Sequence, residues 1–151
     1  MSSEKSRAEI ERTLRRYGAE RFGYAQEDTR AAIVFEVAHR RVRFILPLPS
    51  KNEPAFTKSS RYPYTRTPEQ RGKLWEQATR QRWRALALAI KAKLELVESK
   101  IVTFEEEFLS HIVLPDGQTV GTHVRPRVAE MYATTRMLPL LPGVSQEGGS
   151  A

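Results

Sequence analysis

Apolar residues recur at helical spacing near the start of the chain. Ile10, Leu14 and Tyr17 fall on one side of a helix, and a glycine follows, which commonly ends one. Ser6 and Glu9 have the spacing of a capping box, in which hydroxyl and carboxylate each bind an otherwise free backbone N–H. The pattern therefore predicts a short first helix that opens at Ser6.

The apolar spacing then changes to two, which is typical of strands. Phe22 and Tyr24 alternate with polar neighbours, and the apolar runs AAIVFEVA and VRFILPL flank His39-Arg40. We therefore predict a three-stranded antiparallel meander. On its last strand one face carries Val42, Phe44 and Leu46, and the other face carries Arg41 and Arg43.

A long helix is predicted after a polar, proline-containing segment. Thr67 offers a cap hydroxyl, Pro68 suits the first helical position, and the helix can run to about Glu98. Lys91 and Glu95 have the spacing of an ion pair on adjacent turns. The stripe expected to pack on the sheet comprises Trp83, Leu86, Ala87, Ile90, Leu94 and Val97.

Two shorter helices are predicted near the end of the chain. A capping box at Thr103 opens one that runs to about Val113, and Pro126 suits the first turn of the other. Val128, Met131 and Tyr132 would point inward from the last helix. The following segment, TTRMLPLLPG, is expected to fold back over the core, because its leucines would otherwise form an exposed apolar patch.

These elements predict one α+β domain with an N-terminal helix, a three-stranded antiparallel meander covered by a long helix, and then two shorter helices. We expect the compact domain to span residues 1–142, with an exposed basic loop at 50–67 and a disordered tail at 143–151. The sequence lacks a signal-peptide pattern and a long apolar run, which favours a cytoplasmic protein that does not enter a membrane.

The charge balance suggests a polyanionic partner. The chain has 25 basic and 18 acidic residues, a net charge of +7, and 18 of the basic residues are arginines. Residues 1–100 contain 22 of the basic residues and 12 of the acidic ones, so the excess lies in the first two-thirds. The arginine side chain matches phosphate oxygens well. With no cysteine, a thiolate metal site is excluded, and no cofactor is predicted.

Basic and aromatic residues that are near in sequence form the candidate site. Arginine can neutralise phosphate, and an exposed tyrosine ring can stack on a base. The leading hypothesis is a non-enzymatic protein that binds the backbone of single-stranded or duplex DNA. The predicted contacts are Arg40, Arg41, Arg43, Lys58, Arg61, Tyr62, Tyr64, Arg66, Arg80 and Arg84.

Two other functions stay open. The chain could be a protein–protein module, an inhibitor or subunit that uses the 50–67 loop or the 137–142 segment. It could also be a metal-dependent nuclease built on Glu95, Glu98, Glu107 and His111, although their spacing is not diagnostic. No nucleophile motif or glycine-rich phosphate loop is present.

The stretch from Arg80 to Gly121, with TLRRYGAERFGY and VRFILPLP, resembles a group of small phage and prophage proteins without an assigned activity. The resemblance implies a phage context, in which proteins of this size handle DNA or inhibit a host machine. It carries no catalytic residue over to this chain.

Overall fold

The computed structural model describes residues 2–57 and 65–141, which form an α+β fold. Helix α1 (Ser3–Arg16) is followed by three strands, β1 (Glu20–Gln26), β2 (Arg30–Val37) and β3 (Arg40–Pro47). Four more helices follow: α2 (Pro54–Thr57), α3 (Pro68–Glu98), α4 (Phe104–Phe108) and α5 (Val120–Thr134). A 3₁₀ turn, Leu109–His111, follows α4. The predicted fold class is confirmed, with α2 as an additional short helix.

The three strands form one antiparallel sheet in the order β1-β2-β3. Ala38 and His39, between β2 and β3, have φ angles of 51° and 62°. Positive φ at both central residues is what a two-residue hairpin turn needs to match the twist of its strands. The register of β1 shifts between Glu20 and Phe22, which marks a bulge at the edge of the sheet.

The sheet has a buried face and an open face, as the alternation predicted. Val42 and Phe44 are buried, whereas Arg41 is exposed and Arg43 is half-buried on the opposite face. On the buried face the rings of Phe44 and Phe108 meet edge to face at 6.1 Å. The core therefore lies between the sheet and the helices.

Helix α3 has the predicted bounds and the predicted cap. Thr67 accepts a hydrogen bond from the Gln70 backbone N–H at 3.2 Å, and the Gln70 side chain accepts from the Thr67 N–H at 3.0 Å. Trp83 is fully buried, as predicted for the packing stripe. Trp75 is half-buried, and its indole N–H donates to the Pro49 carbonyl.

Helices α1 and α3 lie side by side and run in the same direction. The Arg7 guanidinium, early in α1, lies 5.1 Å from the centre of the Trp83 ring, in the middle of α3. Tyr17, just after α1, hydrogen-bonds Glu98 at the end of α3, and this bond raises the pKa of the tyrosine hydroxyl. Successive residues of α1 therefore meet successive residues of α3.

The predicted start of α1 is wrong. Ser2 is the cap, since its hydroxyl accepts from the Lys5 backbone N–H at 3.1 Å, and the helix begins at Ser3. Ser6 is fully buried inside the helix, one turn before Ile10. The small side chain of Ser6 can pack inside the fold, so the capping-box spacing of Ser6 and Glu9 indicated the wrong residue as the start of α1.

The last two helices also differ from their predictions. Helix α4 ends at Phe108, and Ile112 and Val113 bridge to β3 and Thr119 instead of continuing it. Helix α5 begins at Val120, capped by Thr119, which places Pro126 inside it. The termini predicted from proline and periodicity are therefore wrong by several residues.

The predicted burial near the C-terminus is wrong for most of the described residues, although Met131 and Leu138 are half-buried. Tyr132 and Met137 are 85% and 88% exposed, and Val128 is also exposed. Leu140 and Leu141 do not cover the core. The segment is held near α5 by the Arg127 guanidinium, which donates to the Pro139 carbonyl at 2.7 Å. Residues 142–151, including the predicted tail, lie outside the described part.

None of the helices described between residues 2 and 141 combines the length and the apolar character needed to cross a lipid bilayer.

Candidate nucleic-acid interface

The structure divides the predicted arginines between two surfaces. Arg41 and Arg43 lie on the open face of the sheet, opposite buried Val42. Arg80 and Arg84 are exposed on α3, which packs on the other side of the sheet through its buried stripe. The two pairs are near in sequence but do not meet in the fold.

The aromatic part of the predicted site cannot be placed. Lys58, Arg61, Tyr62 and Tyr64 lie outside the described residues. Arg66 is described, is half-buried and interacts with a neighbouring group. The predicted stacking of tyrosine rings on bases therefore remains a prediction.

Two of the sheet arginines are neutralised locally. The Arg40 guanidinium lies 3.3 Å from the carboxylate of Glu105, and that of Arg41 lies 3.3 Å from the carboxylate of Glu36. Both pairs are partly exposed, so each adds little to stability. They do, however, reduce the attraction of these arginines for a phosphate.

One flank of α3 uses its cations to hold the fold together. Arg82 donates to the Pro47 carbonyl at 2.8 Å, which fixes the end of β3. The Lys93 ammonium lies 3.1 Å from the Glu107 carboxylate of α4, and both side chains are largely buried. Lys93 is therefore neutralised by a carboxylate, whereas Arg82 is held in place by a neutral carbonyl.

The opposite flank of α3 carries cations without such contacts. Arg80, Arg84 and Lys91 are exposed and follow each other at helical spacing of four and seven residues, so they share one side of the helix. Within residues 2–57 and 65–141, none of them has an ion pair. The predicted Lys91–Glu95 pair is therefore absent.

This flank faces α1, which adds two more cations. Arg12, Arg16 and Lys91 line one groove of about 450 Å³ between the two helices, together with Glu9. Arg12 and Arg16 are four residues apart and exposed on one side of α1. Neither has a carboxylate partner among the described residues. Sequence reasoning overlooked both, although their spacing beside the buried Thr13 was a usable signal.

We name this set the basic stripe; it comprises Arg12, Arg16, Arg80, Arg84 and Lys91. From Arg80 to Lys91 the stripe extends roughly 16 Å along α3, given a rise of about 1.5 Å per residue. Glu9 lines the same groove as Arg12, Arg16 and Lys91, and Glu76 lies in the cleft that Arg80 lines. Glu98 and Glu95 also lie near the stripe, since both raise the pKa of Tyr17, which follows Arg16. None of these four carboxylates forms an ion pair with a stripe cation within the described residues.

The residues proposed for a nuclease do not form a metal site within the described part. Glu107 is paired with Lys93, and the His111 ring stacks on Phe44 with centroids 4.0 Å apart. Burial, and then the nearby Lys93 ammonium, lower the pKa of His111. Among the described residues, no group of three or more histidine, aspartate or glutamate side chains is placed to hold a metal ion.

A second distinctive surface is apolar. Helix α5 has no buried residue, and it flanks a groove of about 540 Å³ that Leu109, Val124 and Val128 line. Met137 and Leu140, in the segment after α5, are also exposed. This part of the chain lacks the excess of cations found on the α1 and α3 side.

Comparison with protein families, with curated proteins and with solved structures found no match for this chain.

Proposed function

We propose that the protein binds the phosphate backbone of nucleic acid through the basic stripe, without catalysing a reaction. The observation that supports this is that five exposed cations along the α1 and α3 pair lack carboxylate partners, whereas Arg82 and Lys93 on the other flank of α3 are engaged. The stripe differs from other unpaired cations because its members lie together along two adjacent helices.

The length of the stripe suits a regular array of phosphates. Each strand of duplex DNA presents one negative charge per about 3.4 Å of the helix axis, so a 16 Å stripe spans roughly five charges of one strand. Each phosphate that a cation neutralises releases bound counterions, which makes the affinity depend on salt. Backbone contacts carry no sequence information, so we expect little base preference. The origin in a phage remains part of the hypothesis.

The salt dependence of binding tests the proposal. Fluorescence anisotropy would measure the affinity for labelled single-stranded and duplex 20-mers over a series of salt concentrations. With four or five cations in contact, the logarithm of the affinity for duplex should fall against the logarithm of salt with a slope of about −4. The variant Arg12→Gln/Arg84→Gln/Lys91→Gln should reduce that slope by roughly 2.7.

A matched variant separates the stripe from overall charge. Arg15→Gln/Arg30→Gln/Arg40→Gln lowers the net charge by the same amount. The carboxylate partners of these three arginines are, in order, Glu11, Glu27 and Glu105. The control variant should bind nearly as well as the unaltered protein. Equal loss of affinity in both variants, or affinity that does not depend on salt, would contradict the proposal.

A second function, a protein–protein module, is favoured by one observation. Helix α5 and the segment after it expose Val128, Tyr132, Met137 and Leu140, although apolar side chains of this size usually find cover. Tyr132→Ser/Met137→Ser should weaken capture of a protein from nuclease-treated host lysate without changing DNA affinity. Capture that requires nucleic acid, or that the substitutions do not change, would count against this function.

A further inference from the structure

The open face of the sheet forms a small pocket. The strand register aligns Gly23 of β1, Val34 of β2 and Arg43 of β3 in one row across the sheet. The neighbouring rows are Ala25, Ala32 and Ile45 on one side, and Glu36 with Arg41 on the other. Gly23, Ala25 and Ala32 give the part of the floor on β1 and β2 its smallest side chains, which leaves the sheet backbone accessible there.

The turn at 113–118 forms a wall beside this floor. Two adjoining cavities, of about 360 and 430 Å³, lie on this face, and both are lined by Arg43 and Gly117. Val113 is anchored to β3, because its N–H donates to the Arg41 carbonyl at 2.8 Å. We name the first cavity the sheet pocket; it is lined by Arg21, Phe22, Gly23, Val34, Glu36, Arg41, Arg43, Val113 and Gly117.

The sheet pocket is positively charged. Glu36 is its one carboxylate and is shared by two arginines, at 3.3 Å from Arg41 and 3.8 Å from Arg21. Arg43 has no carboxylate partner among the described residues, and its buried Nε atom has no hydrogen-bond partner there. Arg43 lines both cavities, so an anionic ligand there would meet an arginine whose charge no described carboxylate offsets.

We propose that the sheet pocket binds a phosphate monoester next to a planar ring, as found in a mononucleotide or at the 5′ end of a strand. Arg43 would bind the phosphate, since arginine forms paired hydrogen bonds with phosphate oxygens, while Arg41 stays paired with Glu36. The ring would lie over Gly23 in the sheet pocket and reach toward Ala32, which lines the adjoining cavity. This site is separate from the basic stripe and does not rest on it.

Gly23 gives a test that leaves the charge unchanged. A Cβ atom at Gly23 would meet nothing within 4 Å, and its φ angle is not in the left-handed region. Gly23→Val should therefore fold, because valine suits a strand better than glycine does. The valine side chain would fill the place proposed for the ring. A circular dichroism spectrum and a melting curve would confirm that the variant is folded.

Isothermal titration calorimetry on the full chain would measure binding of adenosine 5′-monophosphate, adenosine and inorganic phosphate. We expect the monophosphate to bind more tightly than either fragment. Arg43→Gln should weaken binding by at least about tenfold, because a charge-assisted contact is lost. Gly23→Val should weaken it similarly. Arg15→Gln, which removes a paired cation on α1, is the control and should have no effect.

Oligonucleotides with and without a 5′ phosphate distinguish the two sources of the ligand. In the variant lacking three stripe cations, tighter binding of the phosphorylated strand than of both the unphosphorylated strand and the mononucleotide would assign the pocket to strand ends. Equal binding of the two strands, with tighter binding of the mononucleotide, would assign it to free nucleotides. The variant lacking three stripe cations should still bind the monophosphate. The proposal is overturned if the monophosphate does not bind at millimolar concentration, if it binds no better than adenosine, or if Gly23→Val binds it normally.

Discussion

Two glycine-to-alanine substitutions should have opposite effects on stability. Gly72 lies within α3, and a Cβ atom there would meet nothing within 4 Å. Gly121 lies in the first turn of α5, and a Cβ atom there would come within 2.8 Å of the Ser110 backbone carbonyl oxygen. The chemical change is identical, so the difference between the variants reports the contact between α5 and the 3₁₀ turn.

The expected free energies follow from propensity and packing. In a helix interior alanine is favoured over glycine by about 0.8–1.0 kcal/mol, so Gly72→Ala should raise the free energy of unfolding by up to that amount. At Gly121 the added methyl group would have to move a backbone atom, and overpacking of this kind costs roughly 1–3 kcal/mol. The difference between the two variants should therefore be at least about 1.5 kcal/mol.

Urea denaturation followed by far-ultraviolet circular dichroism would give the free energy of unfolding of each variant. Hydrogen exchange would show whether Gly121→Ala releases α5 alone, because the Val120 N–H, which donates to the Ile112 carbonyl at 3.0 Å, would then exchange faster. The reasoning would be refuted if Gly121→Ala were as stable as Gly72→Ala and exchange across α5 were unchanged.

Two further predictions concern His111, which packs on the core, and Thr67, which caps α3. The pKa of His111 is lowered by burial, so the unfolded chain binds the proton more tightly, and stability should fall as the pH drops below the usual value of 6.5. His111→Phe should remove the fall in the urea midpoint at low pH that His111 causes. The control, His39→Asn in the exposed hairpin turn, should leave that fall in place. Identical pH profiles of the urea midpoint in the two variants would contradict this prediction. Thr67→Ala should lower the free energy of unfolding by roughly 0.5–2 kcal/mol, since the cap hydrogen bond is lost. Thr67→Ser should retain most of it, and equal losses in both would show that the hydroxyl is not the cause.

The accuracy of the predicted termini depended on how many signals agreed. At α3 a cap hydroxyl, a first-turn proline and a long apolar stripe all indicated Thr67 and Pro68, and the structure confirms both. At α5 the preference of proline for a first helical turn indicated a start near Pro126, whereas the helix starts at Val120 and is capped by Thr119. Pro126 is tolerated inside α5 because the helix is exposed, so the carbonyl that loses its N–H partner can be solvated.

Burial near the C-terminus could not be predicted from the apolar pattern alone. Val128 and Tyr132 have helical spacing, which shows that they share a side but not that another element covers it. The pattern predicted burial because large contiguous apolar patches are rare on the surfaces of monomeric proteins. In this chain α5 packs closely on the turn that contains Ser110, and none of its residues is fully buried.

The candidate site shows why charge and proximity in sequence are poor guides to a surface. The alternation on β3 correctly placed Arg43 away from the core, and the stripe on α3 correctly placed Trp83 inside it. Together these two facts put the arginines of β3 and α3 on opposite sides of the sheet. The predicted site grouped the arginines of β3 and α3 because they are near in sequence, although the sheet separates them. Arg12 and Arg16 are distant from Lys91 in sequence but lie beside it in the fold.

Helix α3 itself shows which cations are available to a ligand. Arg82 and Arg84 flank the same buried tryptophan, yet their roles differ, since Arg82 donates to the Pro47 carbonyl and Arg84 has no described partner. Two residues turn the side chain by about 200° around the helix, given 3.6 residues per turn, so one arginine faces the end of β3 and the other faces α1. The contacts that each side chain makes in the folded structure therefore distinguish a cation that holds the fold together from one that can bind a phosphate, and the cations of the stripe are of the second kind.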